Sequence, residues 1–194
     1  MDWLDDTRVK KIPADAVTID GRELAARLKD TSGEMPTNIY KSLLSAASCC
    51  YSGLICSALV SGDLVRIGDT VIHSRDLAHA LDGCDRVLLL VATLGFSVDR
   101  YINGLGVSSV CEQFYADCLA DALIEGLCDC AELDAIKAGL SLTNRFSPGY
   151  GDLELSVGQQ VVAMLGADKS LGIRYTESGL ALPKKTVTAF IGVR

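Results

Sequence analysis

The spacing of apolar positions changes several times along the chain, and each change marks an element. Arg22 to Leu28 carries a helical pattern, preceded by the extended stretch Ala16-Val17-Thr18-Ile19 and followed by the turn residues Asp30-Thr31-Ser32-Gly33. A second helix opens at Pro36-Thr37-Asn38 and runs through Ser48, with Ile39, Leu43, Leu44 and Ala47 at the spacing of one apolar face. From Leu54 to Ser74 the period falls to two. The short runs Ile55 to Val60, Leu64 to Ile67 and Thr70 to His73 are parted by Ser61-Gly62-Asp63 and Gly68-Asp69, a pattern that predicts an antiparallel meander. Ser74 is placed to cap a short helix from Arg75 to Leu81. The nearly continuous apolar run from Asp85 to Ala92 predicts a strand covered on both faces, at the centre of the sheet.

After Thr93-Leu94-Gly95 the pattern is helical again, from Ser97 to Asn103, with a break at Gly104-Leu105-Gly106 and then one long helix from about Val107 to Leu133. Val110, Cys111, Phe114, Cys118, Ala122 and Leu123 recur at helical spacing on that helix. Asp117, Asp121, Glu125 and Asp129 recur every four residues, which places four carboxylates on one face. The last third predicts an irregular stretch from Ser141 to Asp152, a helix from Val157 to Leu165, and strands near Ile173–Thr176 and Val187–Val193. With no repeat and no long linker, these elements add up to one α+β domain over 1–194. It would be a twisted, mainly antiparallel sheet flanked by helices, with 1–36 as a lead-in segment.

Composition narrows the function classes. Eighteen Lys and Arg against 25 Asp and Glu give a net charge of −7, which disfavours nucleic acid and anionic membranes as partners. The longest apolar run, Val87 to Ala92, is far short of the roughly 18 residues of a membrane span. The N-terminus Met1-Asp2-Trp3-Leu4-Asp5-Asp6 lacks a signal pattern, so the expected location is cytoplasmic. The eight cysteines read mostly as small buried hydrophobes. Cys128-Asp129-Cys130, Cys49-Cys50 and the pair His73 and His79 all miss metal-ligand spacing. No nucleophile elbow, phosphate loop or dinucleotide fingerprint is present.

The stretch Asn144-Arg145-Phe146-Ser147-Pro148-Gly149-Tyr150-Gly151-Asp152 remains the best candidate for chemistry. Arg145 offers a fork for a carboxylate, Pro148 and Gly149 shape a turn with outward backbone groups, and Tyr150 can cover a ring or a cation. The same composition also suits an ordinary surface loop. The acidic stripe is open to two readings as well, a grip on ribose hydroxyls or a solvated face. Tyr175-Thr176-Glu177-Ser178 followed by Pro183 to Thr188 reads first as strand, turn and strand.

Three blocks in order resemble the activation domain of cobalamin-dependent methionine synthase, and in particular its shorter stand-alone relatives. They are Leu119-Ala120-Asp121-Ala122-Leu123-Ile124-Glu125, Arg145-Phe146-Ser147-Pro148-Gly149-Tyr150, and Thr176-Glu177-Ser178 with Pro183 and Val187. Val91-Ala92-Thr93-Leu94-Gly95 is similar to the stand-alone relatives too, and the resemblance spans Asp85 to the end. It implies S-adenosylmethionine as ligand and methyl donor. Arg145 would meet the amino-acid end, Ser147, Gly149 and Tyr150 would line the site, and Glu125 would approach the ribose. It further implies reductive methylation, the reactivation of cob(II)alamin on a partner methionine synthase core or other corrinoid protein. The cobalamin would sit on that partner, with flavodoxin or ferredoxin as electron donor and no catalytic residue in this chain. The family's closing tyrosine lies beyond its last strand, whereas this sequence ends at Val193-Arg194, and the family's upstream Asp-Trp has only Asp2-Trp3 as an echo. The alternative expectation is therefore a ligand-free interaction module for a corrinoid protein, with a thiol-based redox or metal protein as a third. Arg145→Ala is expected to remove ligand binding and leave the fold intact.

Overall fold

A computed structural model of the chain describes residues 7, 9–28 and 36–194, so Asp2-Trp3 and the turn expected at Asp30–Gly33 lie outside the described residues. Strands β1 (Lys10–Lys11), β2 (Cys50–Ser61), β3 (Leu64–Ile67), β4 (Thr70–His73), β5 (Arg86–Thr93) and β8 (Thr186–Val193) form one antiparallel sheet. Its order is β4-β3-β2-β5-β8, with β1 added beside the start of β2. A small hairpin of β6 (Arg174–Tyr175) and β7 (Ala181–Leu182) stands apart from it. The helices are α1 (Gly21–Leu28), α2 (Thr37–Ala46), α3 (Arg75–Ala80), α4 (Phe96–Ser108), α5 (Val110–Lys137), α6 (Val157–Met164) and α7 (Ala167–Ser170).

Every residue of β5 after Arg86 is buried, and alternate side chains feed two different cores. Leu88, Leu90 and Ala92 pack with Leu119, Leu123 and Leu127 of α5 and with Ile39 and Leu43 of α2. Val87, Leu89 and Val91 pack on the other face with Leu77 of α3, Val161 of α6 and Phe190 of β8. β5 is thus enclosed as expected, although it lies between β2 and β8, one strand in from the edge of the path. β2 is longer than the pattern predicts. Its first residues include Ser52 and Gly53, which read as turn formers, yet Ser52 is fully buried and residues 50–57 pair with β5. The meander of β2, β3 and β4 has the expected turns, and Ser74 caps α3 by accepting from the Leu77 amide.

The helical break moves from Gly104-Leu105-Gly106, which lie inside α4, to Ser109. Ser109 adopts extended backbone and its hydroxyl accepts from the amide of Glu112, a Ser-x-x-Glu start for α5. α5 is consequently 28 residues long, to Lys137.

Most positions of α5 between Ala116 and Cys128 are buried, because the lead-in segment covers the side turned from the sheet. Gly126 marks the closest approach. A Cβ there would lie 2.2 Å from the backbone oxygen of Thr18 and 3.0 Å from Val17 Cγ1. Helix propensity alone predicts that Gly126→Ala stabilises the protein by about 1 kcal/mol. The contact with rigid backbone reverses the sign, and a loss of about 1–3 kcal/mol is expected in urea denaturation. An equal or higher midpoint would contradict this packing.

Candidate functional site

The segment 142–146 runs antiparallel along the edge of β8 that β5 leaves open. Leu142 bridges Val193, and Phe146 exchanges two backbone hydrogen bonds with Phe190 at 2.9 and 2.8 Å. This pins the loop that follows, Ser147 to Asp152, beside the sheet edge. Its far end is tied to the start of α3. The Asp152 carboxylate accepts from the Ser74 hydroxyl at 2.5 Å and from the amides of Arg75 and Asp76 at 3.0 and 3.1 Å. The Asp152 amide in return donates to the Asp76 carboxylate at 3.1 Å. The Ser74 hydroxyl, helped by those amides, holds the Asp152 carboxyl below the usual carboxylate range.

Arg145 reaches back from this pinned segment to α5. Its Nη2 donates to Glu125 at 2.9 Å, and its Nη1 donates to Asp129 at 3.2 Å and to Glu132 at 2.5 Å. Burial works against the guanidinium charge, but Glu132, Glu125 and Asp129 around it hold its pKa above the ordinary arginine value. Burial pushes the Glu132 carboxyl up, against the pull of Arg145. One turn and more toward the N-terminus of α5, Lys185 meets Asp117 at 2.8 Å and Asp121 at 2.5 Å, and Arg27 lies 3.5 Å from Asp121.

The acidic stripe is therefore divided between cations from distant segments and is not simply a solvated face. It is also not straight. Four residues of helix turn through roughly 400°, so an every-fourth pattern drifts by about 40° per step, whereas a seven-residue step returns to within about 20°. Glu125 and Glu132 accordingly line one cleft, while Asp129 is off that line and its side chain is 64% exposed.

The cleft has a volume of about 1080 Å³ and is bounded by α5, the Arg145 loop, the β6–β7 hairpin and the start of β8. It brings together Glu125, Arg145, Ser147 and Tyr150 of the residues proposed from sequence. Gly149 is not on the lining; its amide donates to Leu153 at 2.9 Å and shapes the turn from behind. Tyr150 stands at the rim, 65% exposed, with its ring 6.4 Å from that of Phe146. Leu155 and Leu180, both exposed, continue the apolar rim.

Sequence reasoning missed Glu132, Lys184, Tyr175 and Thr188, which also line the cleft. The Tyr175 hydroxyl is hydrogen-bonded to Thr188, and burial pushes its pKa up. Glu132 was findable as the seventh residue after Glu125. Tyr175 and Thr188 were not, because they lie on separate strands, β6 and β8, whose sequence reads first as architecture, and β6 carries too few residues to show a period.

All eight cysteines are free. Cys49, Cys84, Cys118 and Cys128 are buried, Cys50, Cys56 and Cys130 are half-buried, and Cys111 is exposed. Burial pushes the Cys49 thiol up to about 12 and the Cys128 thiol up as well, away from the reactive thiolate. Among the described residues, no helix is long and apolar enough to cross a membrane.

No protein-family model matches the sequence, and no curated protein matches it. Among solved structures, the fold matches a crystal structure of the MetH reactivation domain bound to AdoHcy, with a TM-score of 0.72. The match covers 95% of this chain and 77% of that chain at 14% identity. The chain thus has an activation-domain-like fold, as the three sequence blocks led us to expect.

The ion pairs correct one expectation. Arg145 ties its loop to α5, so Arg145→Ala would leave three carboxylates facing one another without a cation and would not be neutral for the fold. Allowing for partial exposure, a loss of about 1–3 kcal/mol is expected in urea denaturation at pH 7. The loss should shrink as pH falls through the carboxylate range, because the arginine stabilises only ionised partners. Wild-type stability in the variant would show that the three ion pairs hold nothing in place.

Proposed function

We propose that the chain binds S-adenosylmethionine in the cleft between α5 and the β6–β7 hairpin and presents its methyl group to a corrinoid held by a partner protein. The observation that carries this reading is the Arg145 loop pinned at the mouth of a large cleft, in a fold matched to the MetH reactivation domain. The cleft is slightly above the usual range of roughly 300–1,000 Å³ for small-molecule sites. It pairs an arginine with apolar walls from Phe146, Leu155, Leu180 and Val187, so both ends of a nucleoside–amino-acid ligand find suitable surface.

Arg145 would orient the ligand through its carboxylate, and the exposed Tyr150 ring would cover the sulfonium. The backbone around Ser147 and the polar pair Tyr175 and Thr188 would meet the remaining hydrogen-bonding groups. When bound, S-adenosylmethionine supplies a methyl group for corrinoid cobalt reduced by a separate flavodoxin or ferredoxin. This chain contributes no general base or nucleophile in that reading. It fixes distance and direction, the contribution that positioning makes to a group transfer. The partner would be a methionine synthase core or another corrinoid protein, and the setting cytoplasmic.

A second reading, a docking module that binds the corrinoid protein without ligand, is favoured by the fact that Arg145 already satisfies three carboxylates of its own chain. Titration calorimetry with S-adenosylmethionine separates the two. Tyr150→Ala is the informative variant, because this side chain is mostly exposed and its loss leaves the fold alone. Binding is expected in the wild type and about 2- to 30-fold weaker in Tyr150→Ala, the loss of about 0.5–2 kcal/mol of cation–π attraction. No binding with or without a corrinoid partner would contradict the first reading and leave the docking module.

A further inference from the structure

Four hydrogen bonds join the end of the Arg145 loop to the start of α3, and none of the residues that make them lines the cleft. The Asp152 carboxylate takes three donors. Oδ1 accepts from the Ser74 hydroxyl at 2.5 Å and from the Asp76 amide at 3.1 Å, and Oδ2 accepts from the Arg75 amide at 3.0 Å. The Asp152 amide returns one bond to Asp76 Oδ2 at 3.1 Å. The two chains meet closely here. Gly151 has φ +55°, and a Cβ on it would lie 2.1 Å from Asp76 Oδ2, a distance no side chain allows.

The α3 side of this contact is firm. The Ser74 hydroxyl that donates to Asp152 also accepts from the Leu77 amide at 3.0 Å, and Leu77 is fully buried beside Val87 and Leu89 of β5. The loop end is thereby referred to the core on the far face of β5, not to the α5 side of the cleft.

The loop side needs such a reference. Residues 147–151 run between the Phe146–Phe190 pairing and Asp152, and two of them, Gly149 and Gly151, are glycines at positive φ with wide conformational freedom once released. Inside the loop the Tyr150 amide reaches Ser147 at 3.2 Å and the Gly149 amide reaches Leu153 at 2.9 Å. The Tyr150 side chain is mostly exposed, so packing alone does not place its ring. Its position depends on the two ends of the loop. With the α3 end cut, the order of the loop would have to be supplied by ligand binding and would weaken it.

We infer that Asp152, Ser74 and Asp76 are positioning residues for Tyr150, a latch outside the cleft that holds the loop in its binding-ready shape. This rests on the reading of the cleft as a ligand site.

The test combines amide hydrogen exchange with calorimetry, using S-adenosylhomocysteine as the probe. In Asp152→Ala the amides of Gly149 and Tyr150 should exchange about tenfold faster or more while those of β5 keep their protection. The same variant should bind the probe about tenfold more weakly, although it removes no group from the cleft. Asp152→Asn keeps an oxygen for Ser74 and Asp76 and should bind within about threefold of wild type. In a Tyr150→Ala background, Asp152→Ala should cost at most about threefold, because the latch acts through that ring. If the β5 amides of Asp152→Ala also lose protection, Gly151→Ala, which presses on Asp76 and leaves the Ser74 cap of α3 in place, takes its place in the comparison. Unchanged loop exchange, unchanged affinity, or a cost that is the same with and without Tyr150 would overturn the assignment while the ligand reading stands. If the wild type does not bind the probe, both fail.

Discussion

One long helix organises the molecule by collecting cations on its carboxylates. Carboxylates from Asp117 to Glu132 are met by Lys185 just before β8, Arg27 from the end of α1 and Arg145 from the loop beside β8, and Asp134, half a turn round from Glu125, is met by Lys10 from β1. Exposed ion pairs are worth about 0–1 kcal/mol each, too little to fold a chain of this size. The apolar faces of β5 and α5 do that. The charges decide where four remote segments come to rest once the core has formed, and two of those segments form walls of the cleft. The cleft is thus a by-product of how the carboxylates of α5 are neutralised.

Arg145 shows the economy of that arrangement. Its backbone neighbourhood is fixed by Phe146 pairing with Phe190, its loop by Asp152 on the start of α3, and its guanidinium by α5. With three independent anchors the group is preorganised, and the donors it has not spent lose little freedom on meeting a ligand. The same anchoring explains why removing the side chain tests the fold and the site together, while Tyr150 at the rim can be altered more selectively.

Much of this was legible in the sequence where local rules decide. The meander follows from its turns, α3 from its Ser74 cap, and the doubly covered β5 from its unbroken apolar run. The break between α4 and α5 was misplaced because two glycines outweighed a capping serine. Gly106 in fact sits inside α4, where its missing side chain admits Gln113 from the first turn of α5. At the site, Arg145, Ser147 and Tyr150 of one sequence block line one cleft. What the sequence hid is long-range: Lys185 lies 64 positions from Asp121, and Arg145 lies 20 from Glu125. A one-dimensional pattern shows an acidic stripe but not the cations that complete it.

The claim that rests on all of this is that a nucleoside ligand sits in the cleft with its amino-acid end at Arg145. A crystal structure of the full chain grown with saturating S-adenosylhomocysteine tests it directly. The account predicts density in the cleft, with the ligand carboxylate about 2.7–3.2 Å from Arg145 Nε and the three ion pairs to α5 retained. An empty cleft, or a ligand bound elsewhere with Arg145 still closed on its carboxylates, would contradict it.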